Sequence, residues 1–165
     1  MCTDGKWPIR AAASSEIGAL ARLWFDGWQD AHAEILPIRL RQLRTIESFS
    51  ERLKEALADV RTAGPDGAPA GLAITRHDEL YQLYVGAAAR GTGLAARLTT
   101  DALDRIRAKG HQSAWLACAI GNERAARFYD KSGWRREGVM TSRLPTPDGI
   151  FPLDVWRYEI DLIEV

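Results

Sequence analysis

The stretch that most limits how this chain can fold runs from Glu79 to Gly110. Glu79-Leu80-Tyr81-Gln82-Leu83-Tyr84-Val85 is rich in the aromatic and aliphatic residues of a strand, and the small residues Gly86 to Ala89 then break the pattern. Next comes Arg90-Gly91-Thr92-Gly93-Leu94-Ala95. It leads into a segment where Leu94, Leu98, Ala102 and Ile106 recur every fourth residue while Arg97, Asp101, Arg105 and Lys109 face elsewhere. The spacing predicts strand, tight loop and amphipathic helix, with Gly110 as the C-terminal cap. Gly91 and Gly93 can take positive φ and let a ligand touch the backbone, and the loop amides would converge on the positive end of the helix dipole. Such a place suits an anion, above all a phosphate.

The rest of the composition narrows the setting. A chain of 165 residues is the size of one domain and can bury about two thirds of its unfolded surface, so residues 1–165 are expected to form one domain around one core. The 22 basic and 22 acidic residues cancel, which gives no general pull toward nucleic acid or an anionic membrane, and neither partner is expected. No apolar run approaches the roughly 18 residues of a membrane span, and Met1 to Lys6 lack a signal peptide's apolar core, so the expected location is cytoplasmic. Cys2 lies at the start of the chain and Cys118 in an apolar strand, so a disulfide framework or a metal cluster is not expected, and no metal is expected.

Along the chain, Pro8 to Ala11 reads as a short strand, and Ser14 or Ser15 with Glu16 starts a helix by side-chain capping. Ile17, Leu20, Ala21, Trp24 and Trp28 form a core-facing stripe, although Trp24, Phe25 and Trp28 could also line a pocket. Arg39, Arg41 and Arg44 gather near Pro37, read mainly as a solvated helix face. Ser48-Phe49-Ser50-Glu51 reads as a capping box opening a helix with Phe49, Leu53, Leu57 and Val60 on its apolar side, ending near Arg61. After the turn-rich Gly64 to Pro69, strands are expected at Ala70 to Thr75 and Glu79 to Val85, joined at Arg76-His77-Asp78. Ser113 to Ala119 is nearly free of polar residues, which suits a central strand covered on both faces. A short helix from Asn122 to Tyr129 and a hairpin, Val139 to Leu144 and Leu153 to Leu162 around a longer loop, complete the chain.

Three phosphate-binding patterns compete for the glycine loop. A P-loop requires a lysine after its last glycine, and none follows Gly93; a dinucleotide fingerprint requires a third glycine where Ala96 stands. Arg90-Gly91-Thr92-Gly93-Leu94-Ala95 instead resembles the Gln/Arg-x-x-Gly-x-Gly/Ala signature of the GCN5-related N-acetyltransferases. Asn122-Glu123-Arg124-Ala125-Ala126-Arg127-Phe128-Tyr129-Asp130-Lys131-Ser132-Gly133-Trp134 resembles that family's Asn-x-x-Ala-x-x-Phe/Leu-Tyr-x-x-x-Gly-Phe segment, one helix and one strand later as in the family. Gly86-Ala87-Ala88 and Trp134 depart from the usual acidic-proline and phenylalanine choices, and neither removes a group the chemistry needs.

The resemblance implies an α/β (α+β) fold, a mixed, strongly twisted central sheet with helices on both sides. It implies an N-acetyltransferase that moves the acetyl group of acetyl-CoA to a primary amine of a small molecule or peptide, by direct attack in a ternary complex. Alternatives are a protein or longer-acyl transferase, or a CoA-binding sensor without turnover. Leu83, Tyr84 and Val85 would hold the pantetheine arm; Arg90, Gly91, Thr92, Gly93, Leu94 and Ala95 the pyrophosphate; and Asn122, Ala125 and Phe128 would lie beside the coenzyme. Asn122 also reads as a plain helix N-cap. Glu79 matches in position the glutamate some members use as base, and reads equally as a turn residue in solvent. Tyr129 matches the tyrosine that hydrogen-bonds or protonates the departing thiolate, with a core tyrosine as the other reading. Cys118 as an acylated nucleophile has no evident histidine partner. Trp134 and Trp156 are candidate surfaces for a homodimer.

Overall fold

The computed structural model describes residues 7–162, so Cys2 and the first six residues lie outside the description. Strands β1 (Arg10–Ala11), β2 (Val60–Ala63), β3 (Gly71–Arg76), β4 (Glu79–Val85), β5 (Ser113–Ala119), β6 (Arg135–Thr146) and β7 (Gly149–Asp161) form one seven-stranded sheet in the order β1-β2-β3-β4-β5-β7-β6. Helices α1 (Ile17–His32), α2 (Ile38–Leu43) and α3 (Ile46–Ala56) precede β2; α4 (Leu94–Ala108) links β4 to β5, and α5 (Glu123–Lys131) follows β5.

Two apolar layers enclose the sheet. On one face Leu20, Trp24, Phe49 and Leu53 of α1 and α3 pack on Leu72 and Ile74 of β3. On the other, the predicted stripe of α4, Leu94, Leu98, Ala102 and Ile106, is buried against Ala73, Leu80, Ala114 and Leu116. Each large aliphatic side chain so buried stabilises the fold by about 2 kcal/mol relative to exposure. Gly110 follows α4 at φ +94°, the left-handed conformation a C-terminal cap requires.

The contact between β4 and β5 positions the site. Every other neighbouring pair in the sheet is antiparallel, whereas these two run parallel and pair only at Glu79 and Trp115. Asp78 clamps that junction: its carbonyl accepts from the Trp115 amide and its carboxylate from the Trp115 indole N–H, each at 3.1 Å. Beyond the clamp the strands diverge. A bulge opposite Ile74 and Thr75 leaves Tyr81 without a direct partner. It directs Leu80 to the α4 layer and Tyr81 to the α1/α3 layer, a local re-aiming typical of bulges beside functional sites.

Several local expectations are corrected. No serine side chain caps α1; a 3-10 turn, Ser14–Glu16, precedes it, and the Glu16 carboxylate accepts from the Ala13 amide and from Arg10. Helix α3 starts earlier, with the Thr45 hydroxyl accepting from Ser48 N–H, and ends at Ala56. Val60 belongs to β2, because pairing with β3 satisfies its backbone where another helical turn would leave β3 an open edge. The last hairpin is longer than expected and its turn shorter, since Thr146 pairs with Gly149. Strand β5 is covered on one face only: Ala114, Leu116 and Cys118 are buried while Ala117 is exposed. Trp134 is 4% exposed and offers no dimer surface. Arg44, expected in solvent, is buried and donates to the Pro145 carbonyl at 3.2 Å.

Candidate active site

Where β4 and β5 part, a cavity of about 440 Å³ opens between the end of β4, the glycine loop with the first turn of α4, and the start of α5. Leu83, Tyr84 and Val85 line it from the strand, Arg90, Gly91, Gly93, Leu94 and Ala95 from the loop, and Asn122, Ala125, Phe128 and Tyr129 from α5. Gly91 and Gly93 take φ +76° and +84°. Among the described residues, the amides of Gly91 and Gly93 donate to no backbone carbonyl, and those of Leu94 to Ala96 are the unpaired donors that begin any helix. The result is a cluster of free N–H groups at the positive end of a 15-residue helix, a setting for phosphate. Thr92 is not brought to it: its hydroxyl and amide both bind the Ala89 carbonyl.

Arg90 and Arg124 are the charged groups of this lining. Both reach across its mouth to Asp30 of α1, at 2.8 and 3.2 Å, and Arg90 followed by Arg124 holds the Asp30 carboxyl below its usual range. Gly27, a turn earlier on α1, also lines the cavity. A Cβ there would come within 2.7 Å of the Tyr84 ring, so the helix accepts a glycine, at about 1 kcal/mol relative to alanine, to let that ring lie against it.

A smaller cavity of about 70 Å³ continues past Leu83, Tyr84, Asn122, Ala125 and Tyr129, which line both, toward Tyr81, Gln82, Cys118 and His32. Tyr129 is thus buried in the core against Phe128, Trp134 and Tyr158 and also forms the shared wall. Burial, with lesser effects from Cys118, Tyr84 and Tyr158, pushes its phenol far above the ordinary range, so it stays a hydrogen-bond donor. Burial likewise pushes the Cys118 thiol up to about 12, which keeps it protonated and unreactive despite His32 lining the same space. The Asn122 side chain caps α5, accepting from Ala125 N–H at 3.3 Å.

Glu79 does not join this group. It is buried at the clamped end of β4, paired with Arg76 at 3.1 Å, and lines neither cavity. Burial raises its pKa, with Arg76 opposing.

Sequence reasoning missed His32, Gly27 and Asp30. His32 continues the Trp24, Trp28 stripe by one more turn, and a histidine at that spacing, with no acidic residue beside it on the helix face, is the signal that could have marked it.

Comparison with known proteins identifies the family and the fold. The profile of the Acetyltransferase (GNAT) family matches residues 22–134, and the chain belongs to that family. An uncharacterized N-acetyltransferase of Mycobacterium bovis is 36% identical over 101 residues, 58% of this chain and 65% of that protein, so the match spans less than two thirds of the relative's length. Among solved structures, a GCN5-related N-acetyltransferase from Rhodopseudomonas palustris superposes with a TM-score of 0.73 at 16% identity, over 93% of this chain and 94% of the other. The PaiA N-acetyltransferase of Thermoplasma acidophilum, solved in complex with coenzyme A, gives 0.67 at 19% identity, over 94% and 98%. These likenesses establish the fold, a mixed sheet flanked by helices. No helix among the described residues is long and apolar enough to cross a membrane.

Proposed function

We propose that residues 1–165 act as one acetyltransferase domain that transfers the acetyl group of acetyl-CoA to a primary amine of a small molecule or peptide by direct attack in a ternary complex. The observation that carries this reading is the gap in the sheet: two parallel strands that pair once and then part, with the free amides of the glycine loop at one end of the opening and Tyr129 at the other.

The residues present fit the coenzyme. The amides of Gly91, Gly93 and Leu94 to Ala96 and the guanidinium groups of Arg90 and Arg124 match the charge of a pyrophosphate, and the unpaired edge of β4 from Leu83 to Val85 matches the amides of a pantetheine arm. When bound, acetyl-CoA supplies a thioester whose acetyl group an amine can accept. Tyr129, held neutral by its surroundings, donates a hydrogen bond where negative charge develops on sulfur. Cys118 remains a thiol, which favours direct transfer over an acylated protein. Asn122, Ala125 and Phe128 complete the wall, and the Asn122 cap fixes the start of α5.

Titration calorimetry with acetyl-CoA, with free coenzyme A and with NADH tests the site. Micromolar binding of the first two and none of the third is expected, followed by amine-dependent release of coenzyme A thiol. Binding without turnover on any amine would leave a sensor, and no binding would remove the reading.

A further inference from the structure

The small cavity carries a selectivity that the acetyltransferase reading, on which this inference rests, does not specify. Its lining carries polar side chains at His32, Gln82, Cys118 and Asn122 and the phenols of Tyr81, Tyr84 and Tyr129, and no carboxylate lines it. The cavity that adjoins it has no carboxylate lining either. We infer that the small cavity seats the acceptor amine in its uncharged form, against the imidazole Nε2 of His32, and that the protein therefore selects amines of low basicity, such as α-amino groups, over lysine-like ones.

The tautomer of His32 follows from its partner. Its Nδ1 lies 2.9 Å from the Trp28 carbonyl oxygen, which can only accept, so Nδ1 carries the hydrogen and Nε2 presents a lone pair. An acceptor of this kind can take an N–H of a neutral amine and aim the nitrogen's lone pair at an acyl carbon. An ammonium there would be desolvated with no carboxylate in the lining to offset its charge. The groups around it agree: Tyr81 and Tyr84 line the cavity from β4, Cys118 from β5 and Tyr129 from α5; burial raises the pKa values of Tyr84, Cys118 and Tyr129, which keeps them uncharged near neutral pH, and keeps the imidazole itself neutral. Behind Tyr81 and Tyr84 the charges are positive, whereas behind Cys118 the carboxylates of Glu123 and Asp130 act against Arg136. Arg52 donates to the Tyr81 hydroxyl at 2.6 Å, Arg76 stacks on the Tyr81 ring at 3.9 Å, and Arg44, also near Tyr81 and Tyr84, is buried with no ion pair among the described residues. Two carboxylates adjoin the lining in sequence: Glu79 is engaged with Arg76, and Glu123, next to Asn122, is exposed.

The chemistry balances without another reagent. The amine nitrogen bonds to the acetyl carbon, the carbon–sulfur bond breaks with its electron pair going to sulfur, and the proton lost by nitrogen matches the charge gained by the leaving thiolate. Amide and thiol are the products.

An α-amine with a pKa of about 7.7 is neutral in roughly one molecule in six at pH 7, and a lysine-type amine at about 10.4 in roughly one in 2,500. A seat that admits only the neutral form separates the two by about 400-fold at pH 7 and about 25-fold at pH 9. The test compares kcat/KM for an alanine-starting tripeptide and for Nα-acetyl-lysine amide at both pH values with saturating acetyl-CoA. We expect strong preference for the tripeptide at pH 7, a gap more than tenfold smaller at pH 9, and a loss of at least tenfold for the tripeptide in His32→Gln with the calorimetric Kd for acetyl-CoA unchanged. Equal use of the lysine compound at pH 7, a gap that does not narrow, or full activity in His32→Gln would each overturn the assignment while the acetyltransferase reading stood. Failure to bind acetyl-CoA would remove both.

Discussion

Acid must charge His32 at the expense of the fold. The ring is 7% exposed, held between the Trp28 ring at 5.0 Å and the Trp28 carbonyl, and burial lowers its pKa from 6.5 to about 4. Because the folded value is the lower one, the neutral ring's contribution is complete above pH 6.5 and drains away as the pH falls toward 4. At about 1.4 kcal/mol per pH unit, the ceiling is about 3 kcal/mol, of which about 2 kcal/mol is gone by pH 5. Other groups titrate in acid too. Glu16, held low chiefly by Arg10, loses its contribution below the ordinary carboxylate range, while Glu79, raised by burial, works in the opposite sense. A His32→Gln variant keeps both carboxylates and removes the imidazole, so the difference between the two proteins isolates it. Urea unfolding at pH 7.5, 6, 5 and 4.5 measures that difference. The wild-type advantage should shrink by about 2 kcal/mol between pH 7.5 and 5. An advantage constant within about 0.5 kcal/mol, against an expected 2, would refute the claim that His32 is buried uncharged.

Tyr129→Phe keeps the packing against Trp134 and Tyr158 but removes the donor; kcat should fall roughly 10- to 100-fold, with coenzyme affinity within twofold by calorimetry. Wild-type kcat should show no ionisation of Tyr129 up to pH 10, since burial holds its phenol far above the ordinary range. At Gly93 a Cβ meets no protein atom but φ is +84°, so Gly93→Ala should cost about 1 kcal/mol in unfolding and weaken coenzyme binding less than a charged side chain does. Gly93→Asp adds a carboxylate among the loop amides and should weaken acetyl-CoA binding at least tenfold; equal affinity for the two variants would misplace the pyrophosphate. Asp30→Asn releases Arg90 and Arg124, and should tighten coenzyme binding a few-fold at low salt, an effect that 0.5 M NaCl should erase.

Elements whose residues answer to one local demand were legible in the sequence. Helix α4 was, because Leu94, Leu98, Ala102 and Ile106 all serve one buried face and Gly91, Gly93 and Gly110 mark its two ends. Strand β5 was readable to its ends, but not its open face, since small alanines at 117 and 119 look the same whether covered or bordering a gap. Val60 misled because it falls three residues after Leu57 on the helical stripe, while its actual partner, Ile74, is distant in sequence. The same limit hid the surroundings of Glu79 and Arg44: the first is fixed by the Asp78 clamp and the second by a hairpin about a hundred residues later, at Pro145. His32 was marked in the sequence only by its place on the Trp24, Trp28 stripe, and its role depends on the cavity on its other side. Most of the cavity lining matched short motifs because backbone and helix ends build it. Thr92 is the exception, its polar groups spent on Ala89.

A strand edge left unpaired usually advertises itself to any extended chain that drifts past, and proteins blunt such edges with charge, proline or a covering element. Here the vacant edge of β4 faces the interior of its own sheet, with Gly27 and Ala31 of α1 on one flank and Ala125 and Phe128 of α5 on the other. A chain must enter between those walls to reach it. The flanking helices thus cover what an open edge would offer indiscriminately, and the fold keeps a reserve of unsatisfied backbone without offering a template for aggregation.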